Sequence, residues 1–260
     1  MVKKVILSAV CILLVASCAF CAEEKWKERK STHFVVYYKD APKDFIEDVI
    51  DAAEDYYYEI TKNLGFHRKD FWLWEERADI YIYLDADDYS SSTGQPTWSS
   101  GSASYRERKI STYPLASGFF DTLLPHELGH IIFREFVGFR AKIPLWLDEG
   151  VATYQEKAKR WGARKTVKKA IDAGTFIPME ELSKMGSASR LDPTQVNLFY
   201  AEATSIVYFL LTQHGRHNFI EFCRELRDGE TMEDAIDHAY VRFESMDDLN
   251  THWLRYIKND

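Results

Sequence analysis

The sequence predicts an α+β fold, and three observations carry that expectation. Every stretch with strand character lies before residue 114. From Asp121 to the C-terminus, apolar residues recur at helical spacing almost without a break. No Pro/Gly-rich linker separates the two halves. Strands first and helices after exclude an alternating βαβ arrangement. The expected architecture is a small N-terminal mixed sheet with a helix, then a mostly helical C-terminal lobe, with a cleft where the two meet.

The N-terminus reads as an export signal. Met1-Val2-Lys3-Lys4 is a short basic region, Val5 to Val15 is apolar apart from Ser8, and small residues follow at Ala16, Ser17 and Ala19 before the polar Glu23-Glu24-Lys25. This is the three-part pattern of a secretory signal. The run from Val5 to Ala22 is just long enough for a single-span anchor, but its serines and small residues favour export. Two cleavage routes stay open. Val15-Ala16-Ser17-Cys18 resembles a bacterial lipobox, which would attach the chain to a membrane through a lipidated Cys18; ordinary cleavage after Ala19 or Cys21 is the alternative. The expected location is the bacterial cell envelope, periplasmic or lipid-anchored, or the medium. The expected organisation is a signal over 1–22, an α+β lobe over 23–137 and a helical lobe over 138–260. Cys11, Cys18 and Cys21 fall in or beside the signal, leaving only Cys223 in the body, so no internal disulfide framework is expected.

Along the body, His33 to Tyr38 is β-branched and aromatic and reads as a strand. Asp44 to Asn63 reads as a helix, with Phe45, Ile46, Val49, Ala52, Ala53, Tyr56 and Ile60 at helical spacing and Leu64-Gly65 closing it. Asp79 to Leu84 is a second strand. Asp85 to Gly101 is polar and reads as a loop, and Gly101–Tyr105 with Lys109–Tyr113 as a hairpin around Arg106-Glu107-Arg108. Helices are expected at about 122–137, 144–160, 163–173, 193–214, 216–228, 231–240 and 245–258, with Thr122 as the N-cap of the first and Pro125 in its first turn.

Composition narrows the function. Lys+Arg number 33 against 41 Asp+Glu, a net charge of −8 without a basic stripe, so nucleic acid is not an expected partner. The mean hydropathy of −0.36, with one long apolar run at the N-terminus, excludes a polytopic membrane protein.

The chemistry sits in His126-Glu127-Leu128-Gly129-His130. On a helix, residues i and i+4 share a face one turn apart, so both imidazoles can reach one zinc ion, with Glu127 beside its open side. Catalytic zinc takes three protein ligands, and His₂Glu is one common set. Eighteen residues separate His130 from Glu149, enough to end one helix and begin another that packs back on it. Glu149 in Trp146-Leu147-Asp148-Glu149-Gly150 is the candidate third ligand; the plainer reading of Asp148-Glu149 is a pair of acids favoured at a helix N-terminus.

These residues resemble a gluzincin zinc metallopeptidase, closest to the peptidase MA-like group. The likeness rests on His126-Glu127-x-x-His130, the eighteen-residue gap, Trp146-Leu147-Asp148-Glu149-Gly150 with Ala152, and the tail pattern Tyr200-x-x-Ala203-x-Ser205-x-Val207, Gly215, Met232-Glu233-x-Ala235-Ile236 and Trp253. It implies one Zn²⁺ per chain on the helix holding His126 and His130, with Glu149 from the following lobe, and a peptide or protein substrate. It implies Glu127 as general base, and it places Tyr200 near the metal as candidate donor to the oxyanion; as one of 15 Tyr in an apolar stripe, Tyr200 also reads as plain core. Gly101–Tyr105 lacks the Glu-Asn pair with which zinc aminopeptidases hold a free amine, so an endopeptidase is expected. Substrate is expected to lie extended along an edge strand at Lys109–Tyr113. The alternatives are a non-catalytic envelope binding or scaffold lipoprotein on the same fold, and a zinc hydrolase acting on a non-peptide amide.

Overall fold

The computed structural model describes residues 25–66, 72–73, 76–188 and 191–259. The export signal, with Cys18 and both cleavage routes, lies outside the described residues. The α+β expectation holds: a mixed sheet with helices occupies the N-terminal part, and a largely helical lobe follows.

Five strands make the sheet: β1 (Lys27–Lys30), β2 (Phe34–Tyr38), β3 (Ala78–Ile82), β4 (Gly101–Ser104) and β5 (Lys109–Thr112), in the order β1-β2-β3-β5-β4. The three inner strands run parallel, and each outer strand pairs antiparallel with its neighbour. Strand β1 escapes sequence reading because Lys-Glu-Arg-Lys is exposed throughout; charge suits it to an edge. The hairpin forms as expected, but Lys109–Tyr113 is not the edge. Strand β4 covers β5, so the free rim is Gly101–Ser104.

Helix α1 (Lys43–Leu64) turns Ile46, Val49, Ala53, Tyr57 and Ile60 inward, and Gly65, at φ 77°, ends it in the left-handed region. Helix α2 (Ala86–Thr93) occupies the expected loop. Asp85 accepts from the N–H groups of Asp87 and Asp88, and only Tyr89 is buried, so capping holds a helix that has no apolar stripe. A π-helical turn (Phe119–Leu123) runs straight into α3 (Leu124–Val137). Thr122 lies inside that turn and does not cap α3; the break in the chain is Gly118, at φ 71°.

The helical lobe holds α4 (Leu145–Gln155), α5 (Lys157–Ala173), α6 (Met179–Lys184), α7 (Pro193–Gln213), α8 (Arg216–Asp228), α9 (Met232–Ala239) and α10 (Met246–Lys258). The helix expected over 144–160 is broken at Glu156, whose ψ of 102° is extended. The short α6 carries only Met179 and Leu182 inward, too little pattern to read. Helix α7 is buried on nearly all sides and packs on α4 and α5, the mark of a central helix. Cys223 is a free thiol, as expected, and lies buried in α8.

Two glycines let the central helices close up. A Cβ on Gly129 of α3 would lie 2.9 Å from Ala152 Cα of α4, and one on Gly150 of α4 would lie 2.6 Å from the Ala203 carbonyl oxygen of α7. Gly150→Ala is therefore expected to destabilise the fold by about 1–3 kcal/mol, the usual cost of overpacking. Chemical denaturation checks this, and an unchanged midpoint would mean that α7 can move aside.

Candidate metal centre

Helices α3 and α4 build the site. His126 and His130 stand one turn apart on α3, and their Nε2 atoms face each other at 3.1 Å. Glu149 Oε2, from the second turn of α4, lies 3.5 Å from His126 Nε2 and 3.6 Å from His130 Nε2. The three ligand atoms all fall within 4.8 Å of one another.

Each imidazole is oriented through its other nitrogen. His126 Nδ1 lies 2.9 Å from Glu156 Oε1, and His130 Nδ1 lies 3.2 Å from Asp148 Oδ1. A carboxylate can only accept, so both Nδ1 atoms carry hydrogen, and when neutral each ring aims its Nε2 lone pair at the same point. Two such lone pairs 3.1 Å apart repel unless a cation or a proton lies between them. Glu149 Oε2 is buried and has no hydrogen-bond partner among the described residues, although it faces both rings. This set of donors fits a metal ion.

The carboxylates behind the rings are themselves held. Arg134 donates to Asp148 Oδ2 through Nε at 3.0 Å and a terminal nitrogen at 2.7 Å. Lys159 Nζ lies 3.0 Å from Glu156 Oε1. Tyr105, just past β4, stacks on His130 with ring centroids 4.9 Å apart, which brings the sheet rim to the site.

Electrostatics follow from this crowding. Burial favours neutral imidazole, but the ring's hydrogen bond to Asp148 and the nearby Glu149 carboxylate outweigh it and lift His130 to about 9. His126 is raised as well, because Glu149 and Glu156 outweigh its burial. Burial would raise Glu149, yet the two histidines bring it down to about 2. Glu127 is raised, chiefly by burial, with the histidines opposing. Tyr200, on α7, is half-buried and pushed up to about 12 by burial and by the charges of Glu149, Glu156 and Glu127. Lys159 Nζ sits 5.6 Å from the centre of its ring.

All five residues singled out from the sequence therefore lie in one neighbourhood. Sequence reading missed Asp148, Glu156, Arg134 and Tyr105 as partners of the site. By sequence Asp148 reads only as a helix-terminal acid, and its contact with His130 shows a different use. Glu156 carries a readable signal, since seven residues after Glu149 is two helical turns along the same face. Nothing in the sequence points to Tyr105.

The family model described as the peptidase MA superfamily matches residues 72–259, a span that takes in most of the sheet, both metal helices and the helical lobe. The chain belongs to the peptidase MA superfamily. No curated protein sequence matches it. Membership and the His-His-Glu cluster class this superfamily member as a zinc metallopeptidase of gluzincin type, acting on peptides or proteins.

Two outcomes are expected of this peptidase. Protons and metal compete for the same Nε2 atoms, and His130 without metal holds its proton up to about 9. Metal uptake near pH 7 should therefore release protons, and apparent affinity should rise with pH up to about 9. Calorimetry in buffers of different ionisation enthalpy reads this; a binding heat that does not depend on the buffer would contradict it. Asp148→Asn should keep the fold and weaken metal binding about 10–100-fold, as loss of a ligand's orienting partner does. Competition with a chromophoric chelator measures the change.

Proposed function

We propose that the protein is an exported zinc endopeptidase, in which His126, His130 and Glu149 hold one Zn²⁺ ion, Glu127 is the general base and Tyr200 donates to the oxyanion. The observation that carries this reading is the partnerless, buried Glu149 Oε2 facing two histidine Nε2 atoms, whose Nδ1 atoms are tied to carboxylates. An all-nitrogen-and-oxygen His₂Glu set is a common zinc site, and zinc bound there would supply the Lewis acidity that activates water and polarises a carbonyl.

The chain's own residues then divide the work. Glu127 follows His126 on α3 and is half-buried beside the ligands. It accepts a proton from the attacking water and passes it to the nitrogen of the breaking amide bond. Tyr200 keeps its phenol proton at neutral pH, since its pKa lies at about 12. That O–H donates to the carbonyl oxygen as it gains negative charge. Strand β4 pairs only with β5 among the described residues, and its end leads to Tyr105 against His130. Its outer edge offers backbone N–H and C=O groups to an extended peptide whatever its side chains, a pattern suited to cleavage inside a chain.

The division proposed for the chain is a signal over 1–22, an α+β lobe with the zinc helix over 23–137 and a helical lobe with Glu149 over 138–260. The mature protein should begin between Cys18 and Ala22. Mass spectrometry of the native protein reads this directly: a lipid adduct on Cys18 identifies membrane attachment, and a full-length cytosolic chain overturns export.

Glu127→Gln should retain zinc and lose hydrolysis, whereas a non-catalytic scaffold would show no hydrolysis in the wild type either. Tyr200→Phe should retain zinc and fold while kcat drops about 10²–10³-fold, or roughly 3–4 kcal/mol, the usual cost of losing one oxyanion donor. A tyrosine serving only the core would lose about 1 kcal/mol of stability and leave kcat nearly unchanged. Steady-state kinetics on a cleaved peptide separates the two.

A further inference from the structure

Beside the metal centre, between α5 and α7, lies a cavity of about 420 Å³. Tyr200 forms one wall, so the cavity adjoins the residue proposed above as donor to the oxyanion. At its floor are Thr153 and Thr204, 1% and 0% exposed. Neither hydroxyl has a hydrogen-bond partner among the described residues. Buried hydroxyls are rarely left so, and two lining one cavity mark a place where a polar group is received. Ala163 and Val196 make the sides apolar.

The mouth carries a second, independent sign. Gly162 stands in the interior of α5, where glycine weakens a helix. Its backbone does not require glycine, since it has no positive φ. No packing requires it either, since a Cβ there would meet nothing within 4 Å. What the missing side chain does provide is an open mouth to the cavity. Lys159 also lines the cavity, and no carboxylate does.

We infer that this cavity is the subsite for one of the two substrate residues flanking the cleaved bond, and that it selects a long side chain ending in a carbonyl acceptor, glutamine or glutamate. The inference rests on the peptidase reading above. The length follows from the depth, since the hydroxyls that must be reached lie at the buried floor. The polar end follows from the two unpartnered threonine hydroxyls, each of which can donate to a carbonyl oxygen, with Lys159 at the rim beside Glu156. Lysine and arginine side chains are disfavoured, because no carboxylate lines the cavity to receive them. The volume lies in the range of cavities that enclose a ligand group.

A fluorogenic peptide library on the zinc-loaded protein tests this. Glutamine or glutamate should dominate at one position flanking the bond, and a flat profile at both positions overturns the inference. Thr204→Val should lower kcat/KM for glutamine peptides about tenfold, the size of one lost hydrogen bond, and leave leucine peptides unchanged. Gly162→Leu should raise or preserve Tm while slowing cleavage of peptides with long side chains and sparing alanine peptides. A purely structural glycine would leave the profile as in the wild type, and that result rejects the subsite. Peptide binding to Glu127→Gln, followed by fluorescence anisotropy, reads the preference without turnover. If the wild type cleaves no peptide, the peptidase reading fails, and anisotropy still decides the pocket: tighter binding of glutamine peptides that Thr204→Val abolishes supports it, and equal binding of all peptides overturns it.

Discussion

Helix α4 lies closer to its two neighbours than side chains would ordinarily permit. Gly129 admits it to α3, and Gly150 admits α7 to it. That double contact sets where Glu149 stands relative to His126 and His130, and where Tyr200 stands relative to Glu149. A methyl group at either glycine would have to push backbone aside, and packed interiors resist such shifts. The ligand geometry is thus a consequence of helix separation. The two glycines, which carry no chemistry, fix the distances on which the chemistry depends.

Charge is the second constraint. Glu127, Asp148, Glu149 and Glu156 gather within a few turns of one another. Asp148 and Glu156 are buried and the other two half-buried, and acids so placed stand only when cations answer them. Arg134 answers Asp148, and Lys159 answers Glu156. When no metal is bound the imidazoles answer Glu149, which is why His130 holds its proton up to about 9 while Glu149 falls to about 2. A divalent cation would take over that duty. The protein therefore carries a negative nest built around a positive centre, and the orienting carboxylates serve stability and ligand orientation at once.

The cavity between α5 and α7 extends the same logic to substrate. It grows out of the wall that holds Tyr200, so whatever fills it lies beside the atoms that react. Helix α7 thus serves as core, as bearer of the candidate donor and as lining of the subsite. A single long helix, buried on nearly every side, keeps the three in register.

What the sequence determined by itself was local. The pairing of His126 with His130 follows from helical pitch, and the helices over 216–228 and 246–258 follow from apolar periodicity. The eighteen-residue gap to Glu149 allowed a return helix without placing it. Tertiary structure decided the rest. It put β4 outside β5, since strand order depends on long-range pairing that no single strand encodes. It formed β1, α2 and α6 from segments with almost no apolar pattern, held by pairing, capping and the packing of their neighbours. It broke the helix at Glu156, the residue whose carboxylate meets His126. It brought Tyr105 onto His130 and Tyr200 toward Glu149 across 25 and 51 residues of chain, contacts set by packing angles between elements. Spacing along a helix is a property of the backbone and can be counted; proximity between elements is settled only when their side chains interdigitate.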